Sequence, residues 1–337
     1  MEIGVASSEF GPSILEVERL RVAYRSRDGS PFDAVAGVGF ALRRGEILGV
    51  LGESGSGKST LAAALLRLLP ANGTICGGRV ALEGQEVLSA SPKALREIRG
   101  ARVSLLAQEP SLALHPTMRV IDQVEEVLRA HEGLDARGRR ERALQLLGRL
   151  FASDVERIAG SYPHQLSGGQ RQRAVIAQAI VCQPAVVIAD EPTASLDPTT
   201  QREILTLFRT LRDELGLAVI WITHNPALLI GFAERVLVLY AGRIAELGQT
   251  EEVLFSPRHP YTRALLQCLP RFEPRNTSML KKNLEFIPGG APNLARLPGG
   301  CVFEPRCTER MEECRLREPD LLSVSGYHKV ACFKYTG

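Results

Sequence analysis

The chain has 337 residues, 45% of them hydrophobic and 23% charged, which is typical of a globular protein with about two domains. A chain of this length and composition can bury a large apolar core, so intrinsic disorder and a small disulfide scaffold are excluded. The 41 basic and 38 acidic residues give a net charge of +3, and this near balance argues against a basic surface for nucleic acid.

Membrane and export signals are not visible in the sequence. No apolar run approaches the roughly 18 residues that a bilayer-crossing helix needs. The start of the chain, Met1-Glu-Ile-Gly, lacks a basic region followed by an apolar stretch. Seven cysteines are an odd number for an extracellular disulfide framework. We therefore expect the protein in the reducing cytoplasm.

Predicted strands and helices alternate along most of the chain, which favours an α/β fold with a mainly parallel sheet. A helix is predicted over Lys58–Leu69, and apolar residues at helical spacing between 120 and 182 predict a helical insertion. The predicted strands are short and rich in apolar residues: Ile14–Val22, Val35–Leu42, Ile47–Leu51, Val103–Leu106, Val186–Ala189, Ala218–Thr223 and Val236–Tyr240. From Arg271 onward, Pro, Gly and Arg are frequent, which predicts a separate, loop-rich C-terminal element.

The strand Ile47–Leu51 leads into Gly52-Glu-Ser-Gly-Ser-Gly-Lys58-Ser59, which we name the 52–59 loop. It fits the phosphate-loop pattern G-x-x-x-x-G-K-[ST] between a strand and a helix. Its glycines let backbone N–H groups converge on an anion, Lys58 would contact the outer phosphates, and Ser59 would bind Mg²⁺. A glycine turn without a ligand is the alternative. The residues predicted to bind nucleotide here are Gly52, Glu53, Ser54, Gly55, Ser56, Gly57, Lys58, Ser59 and Thr60.

The strand Val186–Ala189 ends in two adjacent carboxylates, Asp190 and Glu191. Ligands of open α/β sheets bind at the carboxyl ends of strands. Asp190 is therefore predicted to bind Mg²⁺, and Glu191 to activate the water that attacks the γ-phosphate. Alone, such a strand end more often faces only solvent, but its occurrence after a phosphate-loop pattern favours the catalytic interpretation.

The segment Leu166-Ser-Gly-Gly-Gln170 precedes a predicted helix, with Ser167 as the N-cap and glycine amides open to an anion. These five residues resemble the signature sequence of ATP-binding-cassette (ABC) ATPases. The resemblance covers residues 14–250. It implies an α/β fold with an ABC-type P-loop NTPase core and a helical signature subdomain at about 109–184.

Further residues match this family in order, and the resemblance implies their roles. Tyr24 would stack on adenine, although a tyrosine in a strand often only packs. Gln108 would contact Mg²⁺ and the attacking water, and His224 the γ-phosphate, although a histidine at a strand end can simply be a cap. Asp197 would lie near nucleotide. The signature residues that would contact the ATP of a second chain are Ser167, Gly168, Gly169 and Gln170.

The family mechanism implies Mg²⁺ and ATP clamped between two subunits, so that a monomer hydrolyses slowly and hydrolysis opens the dimer. An N-terminal extension would cover residues 1–13, and a small Cys-rich C-terminal extension residues 251–337. This extension contains His259-Pro-Tyr-Thr-Arg-Ala-Leu-Leu266 and Pro298-Gly-Gly-Cys301-Val-Phe-Glu-Pro-Arg-Cys307. Both segments resemble the C-terminal region of dipeptide/oligopeptide importer ATPases, a group that includes nickel and glutathione importers.

This resemblance implies an ATPase subunit at the cytoplasmic face of the membrane that energises import of peptides or related small solutes. The implied partners are two transmembrane permease subunits, a second ATPase (a related chain rather than a copy), and indirectly an external solute-binding protein. No nucleic acid is expected. The stretch from Gln108 to Met118 would contact the permeases, with Leu112 and Leu114 in the docking surface. A soluble ABC-type ATPase that remodels a protein or nucleic-acid complex is the alternative, and the transported solute stays open.

Four of the seven cysteines, Cys301, Cys307, Cys314 and Cys332, lie within the C-terminal extension. Three interpretations compete: unrelated buried cysteines, a Cys₄ zinc site, and a [4Fe–4S] cluster. Zinc sites usually open with a pair about two to four residues apart, and no such pair occurs here. Cluster ligation tolerates wider spacing, and some peptide importers carry a cluster in this region. The [4Fe–4S] cluster is therefore predicted, with zinc as the alternative. Because these cysteines are far in sequence from the 52–59 loop, their predicted role is structural.

Overall fold

The computed structural model describes residues 13–26, 29–151, 153–268, 287 and 289–336. The predicted N-terminal extension therefore lies outside the described residues except for Ser13, which begins the first strand. The strands of the described chain are, in order, β1 (Ser13–Arg25), β2 (Pro31–Arg43), β3 (Ile47–Leu51), β4 (Gly73–Leu82), β5 (Gln85–Glu86), β6 (Val103–Leu106), β7 (Val186–Asp190), β8 (Ala218–Thr223), β9 (Arg235–Tyr240), β10 (Arg243–Gln249), β11 (Leu322–Ser325) and β12 (His328–Val330).

The larger sheet has eight strands in the order β11-β12-β10-β9-β3-β8-β7-β6. Its central strands pair in parallel, from β9 through β3, β8 and β7 to β6. Strands β3 and β8 are buried at every position, as expected for continuous apolar runs covered on both faces. These parallel strands match the predicted ones closely, and their carboxyl ends carry the 52–59 loop, Glu191 and His224.

The smaller sheet is antiparallel, with four strands in the order β2-β1-β4-β5. The expectation of a mainly parallel fold is correct for the centre of the larger sheet and wrong for this one. Strand β4 is absent from the prediction because it contains Gly73, Gly77 and Gly78, and glycine is depleted in strands. Gly78 has a φ of +98°, and a Cβ there would lie 2.6 Å from the carbonyl oxygen of Arg19. Gly77 and Gly78 therefore lie where the register between β4 and β1 shifts, as at a β-bulge.

The helices of the described chain are α1 (Lys58–Leu65), α2 (Pro92–Ile98), α3 (Pro110–Ala113), α4 (Val120–His131), α5 (Ala136–Phe151), α6 (Val155–Gly160), α7 (Gly168–Ile180), α8 (Pro198–Leu215), α9 (Thr250–Phe255), α10 (Pro260–Gln267) and α11 (Glu313–Leu316). Helices α3 to α7 lie between β6 and β7, where the sequence predicts the helical insertion. Helix α1 ends four residues earlier than predicted, before Arg67, which adopts a left-handed φ of +52°. No helix in the described ranges combines the length and apolar character of a membrane crossing.

Alternate residues of the central strands enter two separate apolar cores. Val187, Val219 and Trp221 face the helical insertion, whereas Ile188 and Ile220 face α1 and the antiparallel sheet. Each large apolar side chain buried in this way stabilises the fold by about 1.5–3 kcal/mol. The sheet that carries the functional loops is thus clamped between two layers, which keeps those loops in place.

The C-terminal part of the chain is joined to the larger sheet. Strand β12 pairs with β10 through Glu246 and Val330. His328 Nε2 lies 2.7 Å from Glu246 Oε1, with both side chains buried. Phe303 and Tyr261 enter the same apolar core as the helical insertion. The predicted separate element is therefore continuous with the cassette where it is described.

Candidate active site

Glycine is required at three positions of the 52–59 loop, which connects β3 to α1. Gly55 and Gly57 have φ angles of +78° and +104°, which residues with a Cβ rarely adopt. A Cβ on Gly52 would lie 2.3 Å from the carbonyl oxygen of Leu239. Helix α1 begins at Lys58, so the last two residues of the loop already belong to its first turn. The first N–H groups and the positive dipole end of the helix are therefore available to an anion held by the loop.

Lys58 is buried beneath this loop. Its Nζ atom donates hydrogen bonds to the carbonyl oxygens of Gly52 at 2.8 Å and Glu53 at 2.9 Å. Burial lowers the pKa of Lys58, and the charges of Glu191, Asp190 and Glu53 oppose that shift. The ammonium is thus held inside the loop by backbone oxygens, close to the carboxylates that follow β7.

Ser59 and Asp190 meet where α1 approaches the end of β7. The Ser59 hydroxyl donates a hydrogen bond to the Asp190 carboxylate. Burial raises the pKa of Asp190, while the Ser59 hydrogen bond lowers it, Glu191 raises it and Lys58 lowers it. A hydroxyl and a carboxylate side by side are the oxygen donors that Mg²⁺ uses in nucleotide sites. The donor set therefore fits the cation.

Glu191 is the centre of a three-residue network. Its Oε2 atom lies 3.1 Å from His224 Nδ1 and 3.4 Å from Gln108 Nε2. The residue directly follows β7 with a left-handed φ of +48°, a conformation that carries strain for a side chain of this size. The His224 side chain is 62% exposed, whereas that of Glu191 is 17% exposed. The carboxylate is thus oriented by two partners and lies beside Asp190.

The signature segment, through residues Ser167 to Gln170, lines a surface cavity separate from the 52–59 loop. Ser167 caps α7: its Oγ accepts from Gln170 N–H at 3.2 Å, and its own N–H donates to Gln170 Oε1 at 3.0 Å. Asp197 caps α8 by accepting from the N–H groups of Thr199 and Thr200 at 3.0 and 3.1 Å. A cavity of about 420 Å³ is lined by both caps, and no residue of the 52–59 loop lines it. The loop and the signature therefore do not share this cavity within one chain.

Tyr24 lies on β1 beside the start of α1. Thr60 Oγ1 donates to the Tyr24 hydroxyl at 3.5 Å. The ring covers Gly73, where a Cβ would lie 2.6 Å from Tyr24 Cε1. The tyrosine is therefore on the side of the larger sheet where the 52–59 loop ends, and its contact with adenine stays a prediction.

The two leucines of the predicted docking stretch differ in exposure. Leu112, on α3, is 82% exposed, whereas Leu114 is only 3% exposed and belongs to the apolar core. A docking role for Leu114 is therefore wrong, because its side chain is not at the surface. A docking role for the exposed Leu112 stays a prediction.

Two residues that contact the 52–59 loop are missing from the sequence-based site. Arg306 forms a bidentate ion pair with Glu53, at 2.7 and 3.1 Å, and the Tyr261 hydroxyl accepts from Glu53 N–H at 2.9 Å. Both lie in segments whose resemblance to importer ATPases is noted above, but nothing local in those segments indicates a contact with the loop. The structure thus brings the cysteine-bearing extension next to the 52–59 loop, despite the distance in sequence.

The four C-terminal cysteines are free thiols that lie within range of one another's charge. Cys301, Cys307 and Cys332 each interact electrostatically with the others and with Cys314. Burial is the main reason why the pKa values of Cys301, Cys307 and Cys332 are raised. The pKa of Cys301 rises to about 11. No three of the described His, Cys, Asp and Glu side chains approach closely enough to hold a single metal ion.

Backbone N–H groups point at all four sulfur atoms. Cys301, Cys307 and Cys332 each accept from the residue two positions later, namely Phe303, Glu309 and Lys334. Cys314 Sγ accepts from Met311 N–H at 3.5 Å. Such N–H groups stabilise thiolates.

The fold and the arrangement of loop, carboxylates and signature define an ABC-type ATPase cassette. Residues 35–194 match the ABC transporter family, and residues 245–314 match the C-terminal region of oligopeptide/dipeptide transporters. A solved dimeric cassette, MJ0796, described as a bacterial ABC transporter cassette, has a TM-score of 0.62 and 28% identity, covering 70% of this chain and 98% of that one. The same cassette has also been solved in a post-hydrolysis state with ADP and phosphate.

Similarity to known proteins covers nearly the whole chain. The oligopeptide transport ATP-binding protein OppD of Salmonella typhimurium is 42% identical over 321 residues, covering 95% of this chain and 93% of OppD. OppD of Escherichia coli is 42% identical over 322 residues, covering 96% and 93%. The chain belongs to this family of ATP-binding subunits of oligopeptide ABC importers, and it is an ATPase. The remodelling alternative is not favoured by these matches.

Proposed function

We propose that the chain binds Mg²⁺ and ATP at the 52–59 loop and hydrolyses the γ-phosphate bond to energise peptide import. The observation that carries this proposal is the convergence of Lys58, Asp190 and Glu191 at the carboxyl ends of β3 and β7. Lys58 would exchange its two carbonyl partners for phosphate oxygens. Ser59, Asp190 and Gln108 would hold Mg²⁺, which neutralises phosphate charge when bound.

Glu191 is the proposed general base. It would accept a proton from the attacking water while Gln108 and His224 keep its carboxylate and the water in position. His224, with most of its ring exposed, is also free to donate a hydrogen bond to a γ-phosphate oxygen. Tyr24 is proposed to pack against adenine, because it flanks Thr60 at the start of α1.

Two ATPase chains are proposed to share each nucleotide. Ser167, Gly168, Gly169 and Gln170 line a cavity apart from the 52–59 loop, so a second chain has to supply them to the first chain's ATP. Asp197 borders the same cavity. Closing and reopening this interface would convert hydrolysis into movement. A related second ATPase, rather than a copy, is the proposed partner.

The subunit is proposed to act at the cytoplasmic face of the inner membrane, attached to two transmembrane permeases and served indirectly by an external solute-binding protein. The full-length similarity to oligopeptide transport ATP-binding proteins supports peptides as the transported class. The proposed domain division is a cassette at 14–250, with the helical subdomain at about 109–184, and an extension at 251–337. Leu112, exposed on α3, is the proposed permease contact.

The four cysteines are proposed to hold a [4Fe–4S] cluster. Four thiols share one region, and their wide spacing in sequence favours a cluster over zinc, whose sites usually open with a closely spaced pair. The N–H groups directed at each sulfur suit thiolate ligands, because hydrogen bonds to sulfur are part of cluster sites. Burial raises the pKa of Cys301, Cys307 and Cys332, so a bound cationic core would be needed to keep these three thiols deprotonated at neutral pH. The cluster would supply a cross-link between the ends of this loop-rich segment.

Reconstitution tests the transport function. The tagged chain is expressed with candidate permease and second ATPase subunits, and the membrane complex is placed in vesicles with an external peptide-binding protein. Peptide uptake that needs ATP and stops in the Glu191→Gln complex is the expected result. A chain that purifies without membrane proteins and hydrolyses ATP in response to another macromolecule would favour the remodelling alternative.

A further inference from the structure

Glu53 occupies the second position of the 52–59 loop and forms hydrogen bonds with residues that follow the cassette in sequence. Its carboxylate accepts two hydrogen bonds from Arg306, at 2.7 and 3.1 Å. Its backbone N–H donates to the Tyr261 hydroxyl at 2.9 Å. Both partners lie in the C-terminal region, on α10 and in the turn Glu304–Arg306. The loop is thus fixed at this residue through both its side chain and its backbone.

The ion pair between Arg306 and Glu53 is largely shielded from water. The Arg306 side chain is 8% exposed and that of Glu53 is 24% exposed. Arg306 Nη1 also lies 3.4 Å from the Tyr240 hydroxyl. A bidentate guanidinium–carboxylate pair in such surroundings is stronger and more directional than an exposed one. It can therefore hold the loop in one conformation.

The residues around Arg306 make this support rigid. Phe303 packs against Tyr240 and Tyr261, with ring centroids 5.2 and 5.4 Å apart. Cys307 directly follows Arg306, and its amide donates to the carbonyl of Glu304 at 3.1 Å. The guanidinium is therefore carried by a short hydrogen-bonded turn that directly follows the core residue Phe303.

The charge of the Glu53 carboxylate bears on nucleotide binding. Glu53 lies close enough to Lys58 for the two charges to interact, so its carboxylate is also near the place where the outer phosphates would bind. An unneutralised carboxylate there would repel a polyanion. Arg306 neutralises the carboxylate of Glu53. The backbone carbonyl of Glu53 accepts a hydrogen bond from Lys58 Nζ at 2.9 Å.

We propose that Arg306 is a positioning residue for ATP binding: through Glu53 it sets the conformation and charge of the 52–59 loop, so that nucleotide affinity depends on the C-terminal segment. This inference rests on the proposed role of the loop in binding ATP. The competing role is purely structural, in which Arg306 only attaches the C-terminal segment to the cassette.

Calorimetric binding of ATP to the purified full chain distinguishes these roles. Arg306→Gln should bind ATP about tenfold more weakly, because it removes a charge-assisted pair and leaves Glu53 unneutralised. Arg306→Lys should recover part of the loss, since it restores charge without the bidentate geometry. Arg315→Gln is the matched control: it breaks an ion pair with Glu304 at 3.1 Å in the same segment, away from the loop, and should bind ATP normally.

A double-mutant cycle tests whether Arg306 acts on nucleotide binding through Glu53. In a Glu53→Gln background, adding Arg306→Gln should weaken binding less than about threefold, because the charge to be neutralised is gone. Equal losses in both backgrounds, or normal affinity in Arg306→Gln, would overturn the inference. Lys58→Ala separates it from the proposed function: if that variant binds ATP normally, the loop assignment itself is wrong.

Discussion

Glu191 Oε2 lies 3.1 Å from His224 Nδ1, so the carboxylate after β7 and the histidine after β8 share one hydrogen bond across neighbouring parallel strands. Removing the charge of Glu191 while keeping its shape should separate binding from hydrolysis. Glu191→Gln should bind ATP as the native chain does and lose at least about 10²-fold in turnover, the contribution of a positioned base. Calorimetry and phosphate release measure the two quantities.

A surface carboxylate provides the control for this variant. Glu214 forms an exposed ion pair with Arg149 at 2.9 Å, and Glu214→Gln should leave turnover unchanged, because exposed pairs contribute little. With the second ATPase present, Glu191→Gln should also accumulate an ATP-bound dimer in size-exclusion chromatography. Native turnover in Glu191→Gln would show that another residue is the base.

Leu112 should couple the ATPase to its membrane partners. A leucine 82% exposed on α3, four residues after Gln108, presents apolar surface that a permease helix can cover. Leu112→Glu should keep the basal ATPase rate of the isolated chain and reduce peptide transport in the reconstituted complex more than tenfold, since a buried charge at an interface is costly.

The control for Leu112 is a leucine of similar exposure elsewhere. Leu316, on α11, is 76% exposed, and Leu316→Glu introduces the same charge far along the chain. It should transport peptide at the native rate. Equal transport by Leu112→Glu would place the permease contact on another surface.

The central parallel strands, and the position of Asp190 and Glu191 at the end of β7, could be predicted from sequence because both follow from local patterns. An apolar run such as β8 is buried on both faces, and the ends of β3 and β7 necessarily lie on one edge of the sheet. Strand β4 could not be predicted, since its glycines are used for a bulge against β1 and remove the apolar alternation.

The contact between Arg306 and Glu53 lies beyond local prediction for a different reason. The two residues are 253 positions apart, and neither has a neighbour that indicates the other. Their meeting depends on tertiary packing, in which Phe303 lies against Tyr240 and Arg306 reaches the Tyr240 hydroxyl. Leu114 shows the same limit: it is two residues from Leu112, yet tertiary packing buries one and exposes the other.

His259 should make stability fall in mild acid. Burial lowers its pKa from about 6.5 to about 4, opposed by a hydrogen bond with the backbone of Ala331. Between these values the unfolded chain binds the proton and the folded chain does not. The free energy of unfolding should therefore be steady above pH 6.5 and fall by about 3 kcal/mol as the pH drops towards 4.

Urea unfolding at a series of pH values measures this effect against two variants. In the native chain the N–H of Tyr261 donates to His259 Nδ1 at 3.0 Å, and an asparagine at this position can also accept that bond. His259→Asn should lower the stability overall. It should also flatten the dependence of the unfolding free energy on pH between 6.5 and 4. His115, whose side chain is exposed, is the control, and His115→Asn should keep the native slope. An unchanged slope in His259→Asn would assign the acid sensitivity to other groups.

The four-cysteine site should bind iron and sulfide. Protein purified without oxygen should be brown and contain about four iron and four sulfide per chain. Cys307→Ser, which replaces one thiolate ligand, should lose most of the colour and lower the thermal midpoint of the extension.

Cys76, an exposed cysteine on β4, supplies the matched control, and Cys76→Ser should keep full iron content. Because Cys307 directly follows Arg306, loss of the cluster should also weaken ATP binding, as expected for Arg306→Gln. The loss should be smaller, since Phe303 still packs on Tyr240 with ring centroids 5.2 Å apart. Colourless protein with one zinc and no sulfide would assign the site to zinc instead, and ATP hydrolysis by that protein would leave the cassette assignment intact.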